Sequence, residues 1–547
     1  MTGWNYAAVF EAVVSSVPDQ LAQVCGDRRF TWAQFNTRAD ALAAHLLQCG
    51  LGEQAKVAAY LTNCPEYLET YFAAVKAGMV PVNTNFRYGP DEIRYLFENA
   101  DAEAVVFHAV YAPLIEGLRA QLPGVREWIV VDDPGTTNGA AAASWASPYD
   151  SIISAHNNVD GPVRGPWGLS GDHLLFLYTG GTTGMPKGVM WRQDDLFNVL
   201  GRGGHAALQL PGVMTIDELR TRTLPVSPVM MPACPLMHGT GQFSALITMA
   251  LGGCVVTNPN RSFDPAELWD IVQTNHVTSL VIVGDAFAKP LLAALDASPG
   301  RWDLSSLTMI SSSGVMWSQE TKEGLLEHLA HTVLVDSYGS SEAVGLGASA
   351  SSKGNAATTA VFQLGPTVHV FNEDNQRVQA GSEATGFVAI SGFVPVGYYK
   401  DPEKSARTFR TIDGVRYSVP GDFARVNADG TLHLLGRGSV CINTGGEKVF
   451  PEEVEEVLKV HEHVADAVCV GIPDDRFGEV ICAVIEQSAG AAVDGFDQDA
   501  VIASVAARLA KYKTPRLVVL VDSIGRSPAG KVDYKTLTAV ARERLGR

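Results

Sequence analysis

The sequence predicts an α/β protein: a large N-terminal domain of layered sheets and helices, followed by a smaller α+β unit. Three observations carry that expectation. Helical patterns alternate with short apolar runs along most of the chain, as they do in layered α/β architectures. The second set of apolar runs ends where a glycine or hydroxyl residue opens a loop, the edge at which such sheets hold ligands. Beyond "GRGSVCINTGGEKVF" (436–450) the pattern restarts and builds a further unit of about 110 residues, a domain-sized length. The expected division therefore falls between residues 1–436 and 437–547.

Taken in order, "TWAQFNTRADALAAHLLQCG" (31–50) opens on a capping box of Thr31 with Gln34. It continues with Leu42, Leu46 and Leu47 at helical spacing and stops at Gly50. Strands follow at "KVAAYL" (56–61), "AEAVVFH" (102–108) and "EWIVVDD" (127–133). Residues 134–171 are rich in Gly, Ala, Ser, Asn and Pro and read as a surface connection. Further strands lie at "HLLFLYT" (173–179), "TSLVIVG" (278–284), "LTMISSS" (307–313) and "TVLVDSY" (332–338), and "SASSKGNAATTA" (349–360) reads as an exposed loop. The C-terminal unit has a helix at "PEEVEEVLKVH", strands at "ADAVCVGI" and "EVICAVIEQ", a helix at "DAVIASVAARLAKY" and a strand at "RLVVLVD".

Composition narrows the function classes. The 547 residues are 46% hydrophobic and 18% charged, the balance of a globular chain with sizeable cores. A net charge of −18 argues against nucleic acid or an anionic membrane surface as the main partner, since both are polyanions. It leaves room for a local basic pocket. Eight cysteines without CxxC spacing suggest neither a zinc site nor a redox pair, and most sit in apolar runs as small buried hydrophobes. No basic-then-apolar leader and no apolar run of about 20 residues stand out. The expectation is a cytoplasmic protein, with peripheral membrane contact and oligomerisation left open.

Two stretches invite a phosphate-binding reading. "YTGGTTGMPKGV" (178–189) has the glycines, hydroxyls and lysine for it, yet Pro186 precedes Lys187 and Gly188 follows, so the Gly-Lys-Ser/Thr order of a P-loop is missing. "GRSPAGKV" (525–532) satisfies G-x-x-x-x-G-K, but Val532 occupies the hydroxyl position and Pro528 removes a backbone N–H. Neither is a P-loop on these grounds. Lys531 is left on a Gly-Pro loop far along the chain from the first phosphate-like loop.

Read together with "YGSSEA" (338–343), "YSVPGD" (417–422) and "GRGSVCINTGGEKVFPEEVE" (436–455), these two stretches form an ordered set of five. At these residues the chain resembles the adenylate-forming superfamily of acyl-CoA synthetases, luciferases and peptide-synthetase adenylation domains, over nearly its whole length. "VNTNFRY" (82–88), "MWR" (190–192) and "INTGGEKVFPEEVE" look most like bacterial fatty-acyl and steroid side-chain CoA ligases.

The resemblance implies an ATP-dependent ligase with magnesium as cofactor and CoA as co-substrate. It implies that Thr179, Gly180, Gly181, Thr182, Thr183, Gly184 and Lys187 hold the triphosphate. Glu342, with Thr179, would bind magnesium. Tyr338 would stack beside adenine, with Ser313 and Gly314 lining it and Gly339, Ser340 and Ser341 completing that loop; the family usually has threonine where this chain has Ser341. Asp422 would accept from the ribose hydroxyls and Arg437 add a ribose or phosphate contact, although the two residues could also form an ordinary ion pair. Lys531 would be the catalytic lysine of a mobile C-terminal lid that turns about Ser439, where the family commonly has a charged residue. Gly445, Gly446 and Glu447 would line the CoA tunnel. His238, Gly241, Phe243, Gly284 and Asp285 would lie near the acyl group, His238 beside its carboxylate. Trp191 reads as a core aromatic rather than a tunnel gate, and the methionines of "VMMPACPLM" (229–237) as core rather than a specificity box. A carrier protein as acceptor, and a noncatalytic nucleotide-binding regulator, remain alternatives.

Overall fold

A computed structural model describes residues 3–132, 143–156, 161–181, 184–205, 209–222, 227–444, 447–474, 477–488, 496–509, 511–526 and 532–546. The chain forms two compact units: Met1–Ala357 with Ser391–Ser418, and Thr358–Ile390 with Val419–Arg547.

The first unit is built on two sheets. In one, strands Leu21–Cys25, Cys254–Thr257, Val229–Pro232, Ser279–Ile282, Met309–Ser313 and Val333–Ser340 run parallel as neighbours in that order. Antiparallel strands Arg28–Thr31 and Ala343–Ser351 flank them. The other sheet holds Val80–Asn83, Lys56–Tyr60, Ala102–His108 and Glu127–Val131 in parallel, with Leu174–Gly181 parallel to the first of these. Helical connections cover these strands, as parallel crossovers require.

Helix Trp32–Gln48 forms as its sequence predicts. The Thr31 hydroxyl accepts from the Gln34 N–H, and the Gln34 side chain accepts from the Thr31 N–H in return. Its Trp32, Phe35, Leu42 and Leu46 face is fully buried. Helix Pro65–Lys76 is buried all round and carries charge into the core. Lys76 is completely buried, with its Nζ 2.6 Å from Glu11 Oε1 and 2.8 Å from Asp40 Oδ1. Glu69 takes Arg38 Nε at 2.8 Å and the Tyr149 hydroxyl at 2.7 Å.

That last bond corrects one expectation. The stretch 134–171 contains helix Tyr149–Ala155, whose Tyr149, Ile152 and Ile153 are buried, so its described part is not merely a surface connection. Small residues hide the helix from composition, and the Glu69 carboxylate fixes its start. Likewise 349–351 end a strand rather than open a loop: Ser349, Ala350 and Ser351 pair with Asp336, Val335 and Leu334. Ladder hydrogen bonds override the weak β-propensity of Ala and Ser.

In the second unit, Val361–Leu364, Leu432–Arg437, Asp422–Val426, Gly386–Ser391 and Val368–Phe371 form an antiparallel sheet. A further sheet centres on the hairpin Val464–Asp474 and Gly478–Gln487, with Leu517–Val521 parallel to the second strand. Both faces of this hairpin are covered. Ala467, Cys469, Ile481, Ala483 and Ile485 pack with Val454, Leu458, Val501 and Val505, whereas Val468, Val470, Val480, Cys482 and Val484 pack with Leu537 and Ala541. The alternation is the period of two that a strand imposes. Among the described residues, no helix is long and apolar enough to cross a membrane.

Candidate active site

The described parts of the glycine-rich stretch lie in two antiparallel paired strands. Strand Leu174–Gly181 continues antiparallel into Gly184–Arg192, with Thr179 opposite Lys187 and Gly181 opposite Gly184. A P-loop leads from strand to helix, so this topology gives a second, independent reason to exclude one. Asn83 fixes the hairpin's root: its amide nitrogen donates to Tyr178 O at 2.8 Å and to Met237 O at 2.6 Å, and its oxygen accepts from the Tyr178 N–H. Gly188 is required by packing, because a Cβ there would lie 2.7 Å from the Tyr178 ring. Gly180 has Tyr88 Oη 3.3 Å from where its Cβ would be. Thr182 and Thr183 lie outside the described residues; for Gly181 and Gly184 the description is of backbone alone.

Glu342 is held from several sides. The Tyr398 hydroxyl donates to its Oε1 at 2.8 Å, Ser418 Oγ donates to its carbonyl at 2.6 Å, and its own N–H donates to Ser340 Oγ at 3.3 Å. Trp191 Nε1 donates to the neighbouring Ser341 carbonyl at 3.0 Å. Trp191 is fully buried, so it is a core aromatic that also pins this loop. Tyr338 is buried opposite Gly347, and a Cβ on Gly339 would approach Ala343 O to 3.1 Å. The strand Gly397–Tyr398 pairs with Met190 and Val189, which brings Tyr398 to the hairpin.

This neighbourhood contains a second cation that the motifs do not single out. Lys404, in helix Pro402–Thr408, places Nζ 5.4 Å from the centroid of the Tyr398 ring. Burial first, and next the adjacent Lys187 ammonium, push its pKa down to about 8, while Glu342 pulls it up. A lysine in the first turn of a helix opposes the macrodipole, and that misfit is the signal "DPEKS" offered. Glu342 retains acceptor capacity beyond its bond to Tyr398, and an oxygen donor set of Glu342 with the Thr179 hydroxyl suits a hard cation such as magnesium. Two ammonium groups beside one carboxylate, near glycine-rich strand ends, suit a polyphosphate with its metal ion.

Of the residues expected at the acyl group, Gly284 is tied to the 311–314 segment, its N–H donating to Ser312 Oγ at 2.8 Å. His238 is the N-cap of helix Gly239–Ala250, and Thr240 Oγ1 donates to Ser313 O at 3.5 Å. Gly314 has φ +92°, with Thr240 Oγ1 3.6 Å from its would-be Cβ. Gly241 packs against Pro235 O, at 2.7 Å from a would-be Cβ, and Phe243 is buried. Gly284 (φ +53°) lies under the Met316 carbonyl, and Asp285 Oδ1 accepts from the Ser318 N–H at 3.1 Å. Met230, Met231 and Met237 are buried core.

In the second unit, Asp422 and Arg437 stand directly opposite each other, with Nε 3.2 Å from Oδ1. Asp422 is buried and Arg437 reaches solvent. The ion pair weighed from sequence does form. Ser439 falls in the turn Gly438–Val440 and Glu447 opens the strand Glu447–Val449, their side chains lying outside what is described. Gly445, Gly446 and Lys531 lie outside the described residues. The segment leading to Lys531 starts at Arg526, whose Nη2 is 2.9 Å from Asp466 Oδ1.

The sequence pattern of the AMP-binding enzymes matches residues 10–399, and that of the AMP-binding enzyme C-terminal domain matches residues 453–531. A medium/long-chain-fatty-acid–CoA/3-oxocholest-4-en-26-oate–CoA ligase of Mycobacterium tuberculosis is 40% identical over 540 residues, covering 97% of this chain and 95% of the relative. A 3-oxocholest-4-en-26-oate–CoA ligase of Rhodococcus rhodochrous is 38% identical, covering 97% and 95%. The fold matches that of the anthranilate CoA ligase AuaEII in complex with anthranoyl-AMP, with a TM-score of 0.83 at 20% identity over 100% of this chain and 99% of that one. ATP-bound MatB from Rhodopseudomonas palustris gives 0.80 at 24% identity, covering 100% of both chains.

Proposed function

Since the chain belongs to the AMP-binding enzyme family, we propose that it is an ATP-dependent acid–CoA ligase for a large apolar carboxylic acid. The acid would be a medium- or long-chain fatty acid or a steroid side-chain acid, as in the names of its relatives. The observation that carries the chemistry is the meeting of Lys187, Lys404 and the Tyr398-bound Glu342 at the 174–192 hairpin.

In the first half-reaction a carboxylate oxygen of the acid bonds to the α-phosphorus of ATP. The bond from that phosphorus to the bridging oxygen breaks, and pyrophosphate leaves. Lys187 and Lys404 offset charge that builds on the departing phosphates, where stabilisation counts toward rate. Glu342 and Thr179 would hold magnesium, which supplies Lewis-acid charge to the phosphate oxygens. Ser313, Gly314, Tyr338, Gly339, Ser340 and Ser341 form the adenine side, and Asp422 with Arg437 the ribose side. Lys531 is proposed to neutralise charge between the attacking carboxylate and the α-phosphate. His238, Gly241, Phe243, Gly284 and Asp285 border the acyl group.

In the second half-reaction the CoA thiolate attacks the acyl carbonyl, a C–S bond forms, and AMP leaves with the electron pair of the broken C–O bond. We assign Gly445, Gly446 and Glu447 to the pantetheine path, and rotation of residues 437–547 about Ser439 to the exchange between the two steps.

The test incubates the protein with ATP, magnesium and a panel of fatty and steroid side-chain acids, with and without CoA. AMP and pyrophosphate with one acid class, plus its thioester when CoA is present, is the expected result. Adenylate formed without any thioester would replace CoA by a carrier protein. ADP as product would overturn the proposal.

A further inference from the structure

Away from the candidate active site, three side chains with different metal-binding chemistry converge. His45 lies in the last turn of helix Trp32–Gln48 and Cys49 is its C-cap, so the i,i+4 spacing puts both on one face. Glu127 is the first residue of the strand Glu127–Val131. His45 Nε2 is 3.0 Å from Glu127 Oε1 and 3.6 Å from Cys49 Sγ, and the three ligand atoms all fall within 4.8 Å of one another. A tetrahedral zinc ion, with bonds of about 2.0 Å to nitrogen or oxygen and about 2.3 Å to sulfur, sets its ligand atoms roughly 3.3–3.6 Å apart. The two separations from His45 Nε2 therefore already lie within a few tenths of an ångström of those an ion requires.

We propose that His45, Cys49 and Glu127 form a binding site for a divalent ion of the zinc class, stapling the end of the 32–48 helix to the 127–131 strand. Imidazole, thiolate and carboxylate together select such an ion over magnesium. Topology separates the site from the phosphate loop. Strands 56–60, 80–83, 102–108, 127–131 and 174–181 run the same way, so Glu127 stands at the amino edge of the sheet and Thr179 at its carboxyl edge. The adjacent Arg126 guanidinium is engaged elsewhere, on Cys49 O at 2.9 Å, Gly50 O at 3.1 Å and Glu103 Oε2 at 3.4 Å. A second imidazole, His156, lies edge-on at 5.8 Å from His45 and bonds Gln48 Oε1 through Nε2. All three proposed ligands are partly exposed, so solvent fills the fourth position. On binding, the Cys49 thiol proton passes to solvent as the sulfur–metal bond forms, and His45 turns the Nε2 lone pair to the ion with its proton on Nδ1, exchanging the N–H···O bond to Glu127 for shared ligation.

The full-length protein, stripped with a chelator, is titrated with Co²⁺ and then Zn²⁺. The expected result is one equivalent of cobalt showing a sulfur-to-cobalt charge-transfer band in the near ultraviolet, displaced by zinc. Cys49→Ser abolishes the band, and His45→Gln or Glu127→Gln each weakens binding by about 100-fold or more, since even loss of an outer hydrogen bond costs 10–100-fold. Cys441→Ser, which alters the other partly exposed cysteine, leaves the band intact. Cobalt bound by oxygen ligands near Glu342 gives no such band. In the unmodified protein, zinc slows alkylation of Cys49, read by peptide mass spectrometry, by at least about tenfold. A missing band, a band that survives Cys49→Ser, or alkylation of Cys49 indifferent to zinc would each reduce the cluster to a hydrogen-bonded trio and overturn the proposal.

Discussion

Replacing Lys404 by methionine removes one of the two ammonium groups at the 174–192 hairpin while keeping a long apolar stem against the Tyr398 ring. A hydrogen bond between charged partners is worth about 1.5–3 kcal/mol. Lys404 is partly exposed, which places the loss at the lower end, about a tenfold rise in KM for ATP. The pH dependence is more diagnostic. With its pKa pushed down to about 8, Lys404 is charged below that value and neutral above it. ATP affinity is therefore fully supported near neutrality and falls as pH rises through about 8, by no more than tenfold per unit for a single proton. Lys404→Arg carries a charge that does not titrate in this range, so its profile stays flat. Rates of ATP–pyrophosphate exchange, measured from about pH 6.5 to about 9.5, read out all three proteins. A KM in Lys404→Met equal to that of the unaltered enzyme would refute the reasoning. So would an inflection that persists in Lys404→Arg.

Tyr398→Phe removes the 2.8 Å bond to Glu342 and is expected to lower kcat/KM for ATP about fivefold, whereas Glu342→Gln removes the carboxylate itself and lowers it at least about 100-fold; steady-state kinetics at varied magnesium separates the two. Lys76→Met leaves Glu11 and Asp40 facing each other without their shared cation and is expected to destabilise the first unit by about 3–5 kcal/mol, read as a lowered first thermal transition. Lys531→Met is expected to abolish pyrophosphate exchange while leaving thioester formation from a supplied acyl-adenylate, a split that thin-layer analysis of the two half-reactions detects.

Much of this was legible because the signals are local. Thr31 and Gln34 announce a helix start within four residues, and the parallel strands announce themselves as apolar runs between glycines. The second half of the hairpin was not legible. "GMPKGVMWR" carries two glycines and a proline and reads as loop, yet it pairs along its length with 174–181 because the partner strand, not its own propensity, supplies the ladder. Lys404 and Tyr398 were missed for a related reason. Neither belongs to a motif around Lys187 or Glu342, and only the pairing of Gly397–Tyr398 with Met190 and Val189 carries them there. The His45–Cys49–Glu127 cluster escaped the cysteine spacing because its third member comes from a different element.

The Asn83 amide has a consequence for how two segments of the first unit keep their places. Its two N–H groups and one oxygen are all engaged, tying the backbone just before Thr179 to the carbonyl just before His238. No other side chain of that size offers two donors and an acceptor in one plane; aspartate would lose the donors and leucine everything. A displacement of one segment therefore strains a bond to the other. The root of the 174–192 strand pair and the start of the 239–250 helix are geared through a single planar group, and the precision of one is inherited by its neighbour.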